Sequence, residues 1–322
     1  MVNLAWSLTL LGKGKKRIMS ASTATTTRDW TTSRMPDMTA KTVVVTGANS
    51  GIGLEAARVF AAKGAHVVLA VRDEVRGRLA ATAIGGSTEV RRLDLADLTS
   101  VRSFAAQWSE DIDVLVNNAG ILVPPFALTV DGFELQFGTN HLGHFVLTNL
   151  LLPQISGRVV TVASNAHRIG GLDFDDLNWT TRRYSRSRAY ADSKLANLLF
   201  TLELQRRLSS AGSPVLAVAA HPGWAATNLG STSYGPVMST GTRMLNRIVA
   251  QDAVMAATPT LFAATERLPG GSYSGPSRRR EMSGPPALAT PGANATDPIA
   301  AARLWDSSEA LTDVHFPFLS QP

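Results

Sequence analysis

Residues 42–53 read TVVVTGANSGIG, and residues 54–62 continue LEAARVFAA. The β-branched run 42–46 has the composition of a strand buried on both faces. The run 54–62, closed by Gly64, is helical. A strand, a glycine-rich turn and a helix give the context in which a helix N-terminus binds phosphate. Gly47 permits the tight turn. Gly51 and Gly53 let the backbone approach a pyrophosphate, and Asn49, Ser50 and Ile52 complete the loop. The spacing is Gly-x-x-x-Gly-x-Gly rather than Gly-x-Gly-x-x-Gly. The competing reading is a tight turn that binds nothing.

Outward from this unit, strand and helix alternate. Strands are expected at 66–71, 89–95, 112–116, 158–163, 215–220 and about 272–274. Helices are expected at about 74–83, 101–108, 131–152, 189–208 and 253–265, with a short one at 300–305. Such alternation predicts an α/β fold, a single-domain doubly wound parallel sheet of Rossmann type with helices on both faces. Right-handed crossovers bring all strand C-termini to one edge, where ligands bind at the switch point. The glycine-rich turn, Asp94 with Leu95, and NNAG at 117–120 fall on that edge, as does HPG at 221–223.

The stretch AYADSKLAN at 189–197 places Tyr190 and Lys194 four apart, on one face of a helix. The apolar Ala191, Leu195, Leu198 and Leu202 lie on another face, so the helix can pack while aiming a phenol and an ammonium into a cleft. A free tyrosine has a pKa of about 10. A nearby cation favours the phenolate, so the pair can serve as a general acid/base for a hydroxyl or carbonyl. Taken alone, the spacing is equally that of two surface residues.

Composition sets the bounds. The 322 residues are 44% hydrophobic and 17% charged, an ordinary globular balance. There is no cysteine, which excludes disulfides, thiolate metal sites and a cysteine nucleophile. The net charge is +6, and residues 1–38 supply +4 of it with six Lys/Arg against two Asp/Glu. The tail is expected to be a flexible basic extension, followed by a catalytic domain over 39–322. Its apolar piece 4–11 is too short to span a bilayer, which takes about 20 residues. Its basic cluster follows the apolar run, whereas a secretory signal has the charge first. A cytoplasmic location is expected, with no integral membrane segment. No basic stripe interleaved with aromatics supports nucleic-acid binding. Residues 224–250, rich in Gly, Ser, Thr and Met, read as a substrate lid, and 275–322 as a C-terminal extension.

Together these residues resemble the short-chain dehydrogenase/reductase family over about 40–275. TGANSGIG, NNAG, Asn140, Ser164, Tyr190 with Lys194, and PG followed by Thr227 occur in the family's order. The retinol-dehydrogenase-like branch is resembled through FGTNHLGHF at 137–145, ASNAHR at 163–168, YSRSRAYADSKLANLLF at 184–200 and HPGWAATNL at 221–229. Ala163 stands where that branch often has a second serine. The resemblance implies an NAD(P)-dependent oxidoreductase interconverting an alcohol and a carbonyl. It implies Tyr190 as general acid/base, with Lys194 lowering its pKa and bonding the nicotinamide ribose. Ser164 would stabilise the reacting oxygen, and Asn140 would hold a water linking Lys194 to solvent. Asn118 would contact the adenosine ribose region with Ala119 and Gly120 beside it, Asp94 and Leu95 the adenine, and Pro222, Gly223 and Thr227 the nicotinamide side. A homodimer or homotetramer is also implied.

Charge at the end of the second strand bears on the cofactor. Where an NAD(H) site wants a carboxylate, the chain reads Val71 then Arg72, and arginine suits the 2′-phosphate of NADP(H). The counter-reading gives the ribose to Asp73. The loops at 121–126, 169–176 and 224–250 are largely apolar and suggest a lipophilic small-molecule substrate. Alternatives are an NADPH-sensing regulator without turnover, or a C=C reductase. His141 and His144 are close enough to share a metal, but no third ligand follows and none is expected. His167 and His221 read as hydrogen-bonded structural histidines, and Trp179 and Trp305 as packing residues.

Overall fold

In the computed structural model, residues 30–223 and 253–318 are described. The expected lid at 224–250, with Thr227, lies outside them. The central sheet has eight strands in the order β3-β2-β1-β4-β5-β6-β7-β8. They are β1 (Thr42–Thr46), β2 (His66–Val71), β3 (Thr88–Arg92), β4 (Ile112–Asn117), β5 (Ile155–Val162), β6 (Leu216–Ala220), β7 (Tyr273–Arg278) and β8 (Ser283–Leu288). Every neighbouring pair from β3 to β7 is parallel. The order reverses between β1 and β4, so the crevice falls beside the glycine-rich turn.

Period-2 alternation along β1 sends its side chains to two cores. Val43 and Val45 join the layer of α1 (Gly51–Ala62), while Val44 faces the opposite layer. The first layer also holds α2 (Glu74–Ile84) and an apolar helix at Ala253–Thr265. The second holds α3 (Leu98–Ala105), α4 (Leu135–Phe137), α5 (Gly143–Leu151) and α6 (Arg186–Ser210). We number the helix at Ala253–Thr265 α7, and the closing helix Pro298–Thr312 α8.

Four expectations are corrected. The packed fold starts by residue 30 rather than 39. Trp30 is 2% exposed, its Nε1 donates to Glu266 Oε1 at 2.8 Å, and its ring meets Phe262 edge-on at 5.6 Å. Met35 and Met38 are buried with it. Second, the helix expected over 131–152 begins at Leu135, because Glu134 caps it by accepting from Gln136 N and Phe137 N, while Asp131 accepts from Leu98 N. It is then interrupted by a π-helical turn at Gly138–Leu142. Third, an eighth strand, β8, pairs antiparallel with β7 inside 275–322, beyond the last strand expected at about 272–274. Fourth, the closing helix is longer than the short one expected at 300–305. Helix α8 spans fifteen residues, capped by Asp297, and Trp305 stacks on Phe200 at 5.7 Å and meets Phe145 at 5.0 Å.

Trp30→Ala is expected to cost about 3–5 kcal/mol, the range for emptying a buried Phe or Trp site. Urea denaturation of the variant against the wild type measures it.

Candidate active site

The glycine-rich turn leaves β1 with Gly47 at φ +67° and Gly51 at φ +58°, the left-handed region that glycine enters freely. Gly53 sits on the first turn of α1, where a Cβ would fall on Asn118 Nδ2. Ser50 occupies the N-cap, yet its side chain makes no cap hydrogen bond. The first N–H groups of α1 therefore face outward from a cradle only glycine can line, which suits a phosphate. Asn49 is half-buried and Ser50 exposed, while Ile52 is turned into the core.

The neighbouring turn is tied to this one through Thr46. Its Oγ1 accepts from Asn118 N and Ala119 N, both at 2.9 Å, and lies 2.9 Å from His144 Nε2. His144 Nδ1 donates to Asn140 O at 3.0 Å. Nε2 is thus the bare nitrogen, and the Thr46 hydroxyl donates to it. Burial pushes the His144 pKa down to about 4, with the bond to Asn140 O opposing and the Lys194 charge assisting, so the ring is neutral. Asn118 turns its amide inward, donating from Nδ2 to Thr46 O at 2.8 Å. Its side-chain nitrogen shapes the turn.

Asn140 lies in the π-helical turn, with its side chain fully engaged. Oδ1 accepts from Ile121 N at 2.8 Å, and Nδ2 donates to Ile121 O at 3.1 Å and Ser193 Oγ at 3.0 Å. Ser193 in turn donates to Tyr190 O at 2.8 Å. A Cβ on Gly120 would stand 3.2 Å from Asn140 Oδ1 and 3.4 Å from Lys194 Nζ. The NNAG turn, the π-turn and α6 thus converge on one point.

At that point stand Tyr190, Lys194 and Ser164. Lys194 Nζ lies 5.9 Å from the centre of the Tyr190 ring and donates to Val162 O at 3.0 Å. Burial lowers the Lys194 pKa to about 8. Burial raises that of Tyr190, and a hydrogen bond with Ser164 opposes the rise. Ser164 Oγ accepts from Ala166 N, which leaves its hydroxyl hydrogen for the phenol. So burial, not Lys194, dominates the Tyr190 pKa here.

At the C-terminal end of β2, Arg72 is exposed. Asp73 caps α2, accepting from Arg76 N at 3.0 Å. Asp94 Oδ1 accepts from Ala96 N, and Leu95 is buried. Arg92, exposed and in register with Val71, brings a second guanidinium to this corner. Past the end of β6, Gly223 N donates to His221 Nδ1 at 3.2 Å. Pro222 stands between them.

The loop before α6 is held rather than free. Arg182 lies over the Trp179 ring at 3.7 Å and within 3.6 Å of the buried Asp176 carboxylate, and Asp192 on α6 accepts from Gly171 N. Both histidines of the pair are committed to hydrogen bonds. His141 Nε2 donates to Ser308 Oγ while His144 reaches Thr46, and burial puts the His141 pKa at about 3. No metal-binding group of three or more His, Cys, Asp or Glu occurs among the described residues. His167 is structural, donating from Nδ1 to Ser164 O and accepting from Gly292 N.

Sequence reasoning missed Thr46, His144 and Arg92. The strand-final threonine before the first glycine was a usable signal. The other two depend on which side chains the fold brings into contact.

Residues 41–234 match the short chain dehydrogenase family. Human "Retinol dehydrogenase 13" is 41% identical over 303 residues, covering 86% of each chain. Human "Retinol dehydrogenase 14" is 38% identical over 306 residues, 85% of this chain and 87% of that one. Among solved structures, an uncharacterized protein from Mycobacterium Paratuberculosis superposes with a TM-score of 0.79 at 51% identity, covering 89% of this chain and 99% of that chain. A structure described as an NAD(P) dependent gluconate 5-dehydrogenase from Beutenbergia cavernae, with NADP bound, gives 0.55 at 28% identity over 71% and 91%. No helix among the described residues is long and apolar enough to cross a membrane.

Thr46→Val leaves Ala119 N and His144 Nε2 without a partner, while Asn118 N keeps Val116 O at 3.0 Å. The expected loss is about 2–4 kcal/mol, since one buried unsatisfied group costs about 1–3, read by denaturant titration. Lys194 gives a pH signature. Its folded pKa, about 8, lies below the unfolded 10.5. Between these values the unfolded chain holds more protons, so stability rises with pH there. Melting temperature against pH should lose that rise in Lys194→Met.

Proposed function

The chain belongs to the short-chain dehydrogenase family, in its retinol-dehydrogenase-like branch, and is an oxidoreductase of alcohols and carbonyls; we propose that it uses NADP(H), with Tyr190 as general acid/base. The observation that carries this reading is the meeting of Ser164, Tyr190 and Lys194 at the open edge of the sheet, beside a glycine cradle.

When bound, the nicotinamide supplies or takes the hydride. The first turn of α1 would hold the pyrophosphate, and Lys194 the nicotinamide ribose. Burial keeps the Tyr190 phenol protonated at neutral pH, so it can donate to a carbonyl oxygen as that oxygen gains charge. Ser164, bonded to the same phenol, is placed to donate to the same oxygen. In the alcohol-oxidising direction Tyr190 takes the proton. The hydrogen bond from Ser164 and the cationic Lys194, close by in a low-dielectric setting, favour the phenolate this needs. At pH 7, below its pKa of about 8, Lys194 is largely charged. The family resemblance supports a water near Asn140 that would resupply protons to Lys194.

Two observations support NADP(H) over NAD(H). The Asp73 carboxylate, which a ribose would need, already caps α2. Arg72 and Arg92 meanwhile offer guanidinium forks to a 2′-phosphate. The NADP carried by a solved relative agrees. Apolar loops at 121–126 and 169–176, together with relatives named as retinol dehydrogenases, support a lipophilic substrate.

Tyr190→Phe should lower kcat by about 10²–10⁴-fold, the usual contribution of a positioned proton donor, while the Kd for NADPH holds. Undiminished kcat in that variant rejects the mechanism. Arg72→Ala should weaken NADPH binding by about tenfold or more, the loss of one charged hydrogen bond, and leave NADH binding unchanged. Calorimetry with both nucleotides measures this.

A further inference from the structure

Beside Ser164 the chain buries two polar atoms that have no hydrogen-bond partner, Tyr273 Oη and Asn165 Oδ1, together with His221 Nε2, which faces only the Glu281 carboxylate. Tyr273 is 4% exposed and His221 1%. These atoms belong to one wall. The Tyr273 ring packs on His221 at 5.1 Å and on His167 at 5.7 Å, and His167 hangs from Ser164 O by a 2.6 Å bond. The phenols of Tyr273 and Tyr190 are near enough that charge on one opposes charge on the other.

The tip of the β7–β8 hairpin completes the wall. Arg279, Arg280 and Glu281 have φ of 51°, 55° and 63°, a left-handed run that residues with side chains adopt at a cost. That backbone carries Glu281 to the site. Its Oε2 stands 3.4 Å from both His221 Nε2 and Arg168 Nη2, and its carbonyl accepts from Asn165 Nδ2 at 3.4 Å. A Cβ on Gly275 would fall on His221 Nε2, so only glycine leaves room for that ring.

The chemistry of the wall is specific. His221 Nδ1 accepts from Gly223 N, so Nε2 carries the hydrogen and is a donor. The Tyr273 hydroxyl is a second donor, and Asn165 Oδ1 and the Glu281 carboxylate are acceptors. Arg168 balances Glu281, so the wall has no net charge to offer an ion. Donors and acceptors side by side, without net charge, match a neutral hydroxyl. A hydrocarbon laid here would leave the Tyr273 hydroxyl and Asn165 Oδ1 unsatisfied, which is unfavourable.

We propose that Tyr273, His221, Asn165 and Glu281 form a recognition site for a second hydroxyl on the substrate, near the reacting carbon. The preferred pair is then a hydroxy-carbonyl compound and its diol. This rests on Tyr190 and Ser164 being the reacting centre.

The test compares 1-phenyl-1,2-ethanediol with 1-phenylpropan-1-ol, which has a methyl in place of the second hydroxyl. Calorimetry measures the Kd of each for the NADPH-loaded protein, where neither alcohol can give up a hydride. The diol should bind about tenfold tighter or better, since a site built for a hydroxyl rejects the analogue lacking it. In Tyr273→Phe, which keeps the ring packing, that advantage should vanish while the mono-alcohol Kd holds. Equal affinity in the wild type, including no binding by either, overturns the proposal and leaves the wall to ordered water. So does an advantage that survives Tyr273→Phe. Oxidation of the two alcohols with NADP⁺ reads the Tyr190 chemistry separately. Turnover without a diol preference overturns only the hydroxyl site, and a diol preference without turnover overturns the Tyr190 reading.

Discussion

The hydroxyl of Thr46 joins the ends of β1 and β4, the two strands between which the sheet reverses its order. It accepts two backbone N–H groups of the NNAG turn and donates to His144, and His144 holds the carbonyl of Asn140. Asn140 grips both backbone atoms of Ile121 and reaches α6 through Ser193. An unbroken line of hydrogen bonds thus runs from the glycine-rich turn to the backbone of Tyr190. Every bond in it is buried or half-buried, so a break anywhere exposes a donor or acceptor to a medium that cannot replace water. The two halves of the cleft are held in register by this line, and the π-helical turn is the local distortion that lets Asn140 take part in it.

Against that frame, α6 carries unusual cargo for a core helix. Lys194 is buried and donates to Val162 O. A lone ammonium in such surroundings is unfavourable, and its pKa falls to about 8 in response. A group poised near neutrality by burial, beside a phenol that burial keeps protonated, belongs to a functional site more readily than to a structural one. The helix keeps its place through its other residues. Asp192 clamps the preceding loop, and Phe200 stacks on Trp305 of α8.

The last fifty residues do more than finish the sheet. Strand β7 adds the parallel edge, β8 turns back to cover it, and their hairpin tip delivers Glu281 beside Ser164. Helix α8 supplies Ser308 to His141 and Trp305 to the aromatic core behind α5 and α6. Such contacts join residues more than a hundred positions apart, which no local pattern announces.

The doubly wound fold and most of the site could be read from the chain itself. β-branched runs specify buried strands, and glycine at a strand-to-helix turn specifies close backbone approach. The four-residue spacing of Tyr190 and Lys194 specifies a shared helix face. Each is a local property, written within a few neighbouring residues. Tertiary structure alone decided the rest. It placed Thr46, His144 and Arg92 at the site, drew Trp30 into the core and broke a helix at Asn140. It raised the Tyr190 pKa by burial where sequence proximity to Lys194 pointed to lowering it. It also set polar atoms around Ser164 where the loop sequences had suggested a largely apolar lining. The reason is that burial and hydrogen-bond partnership depend on which distant segments pack together, and a pKa or an unsatisfied donor exists only once water has been excluded by that packing.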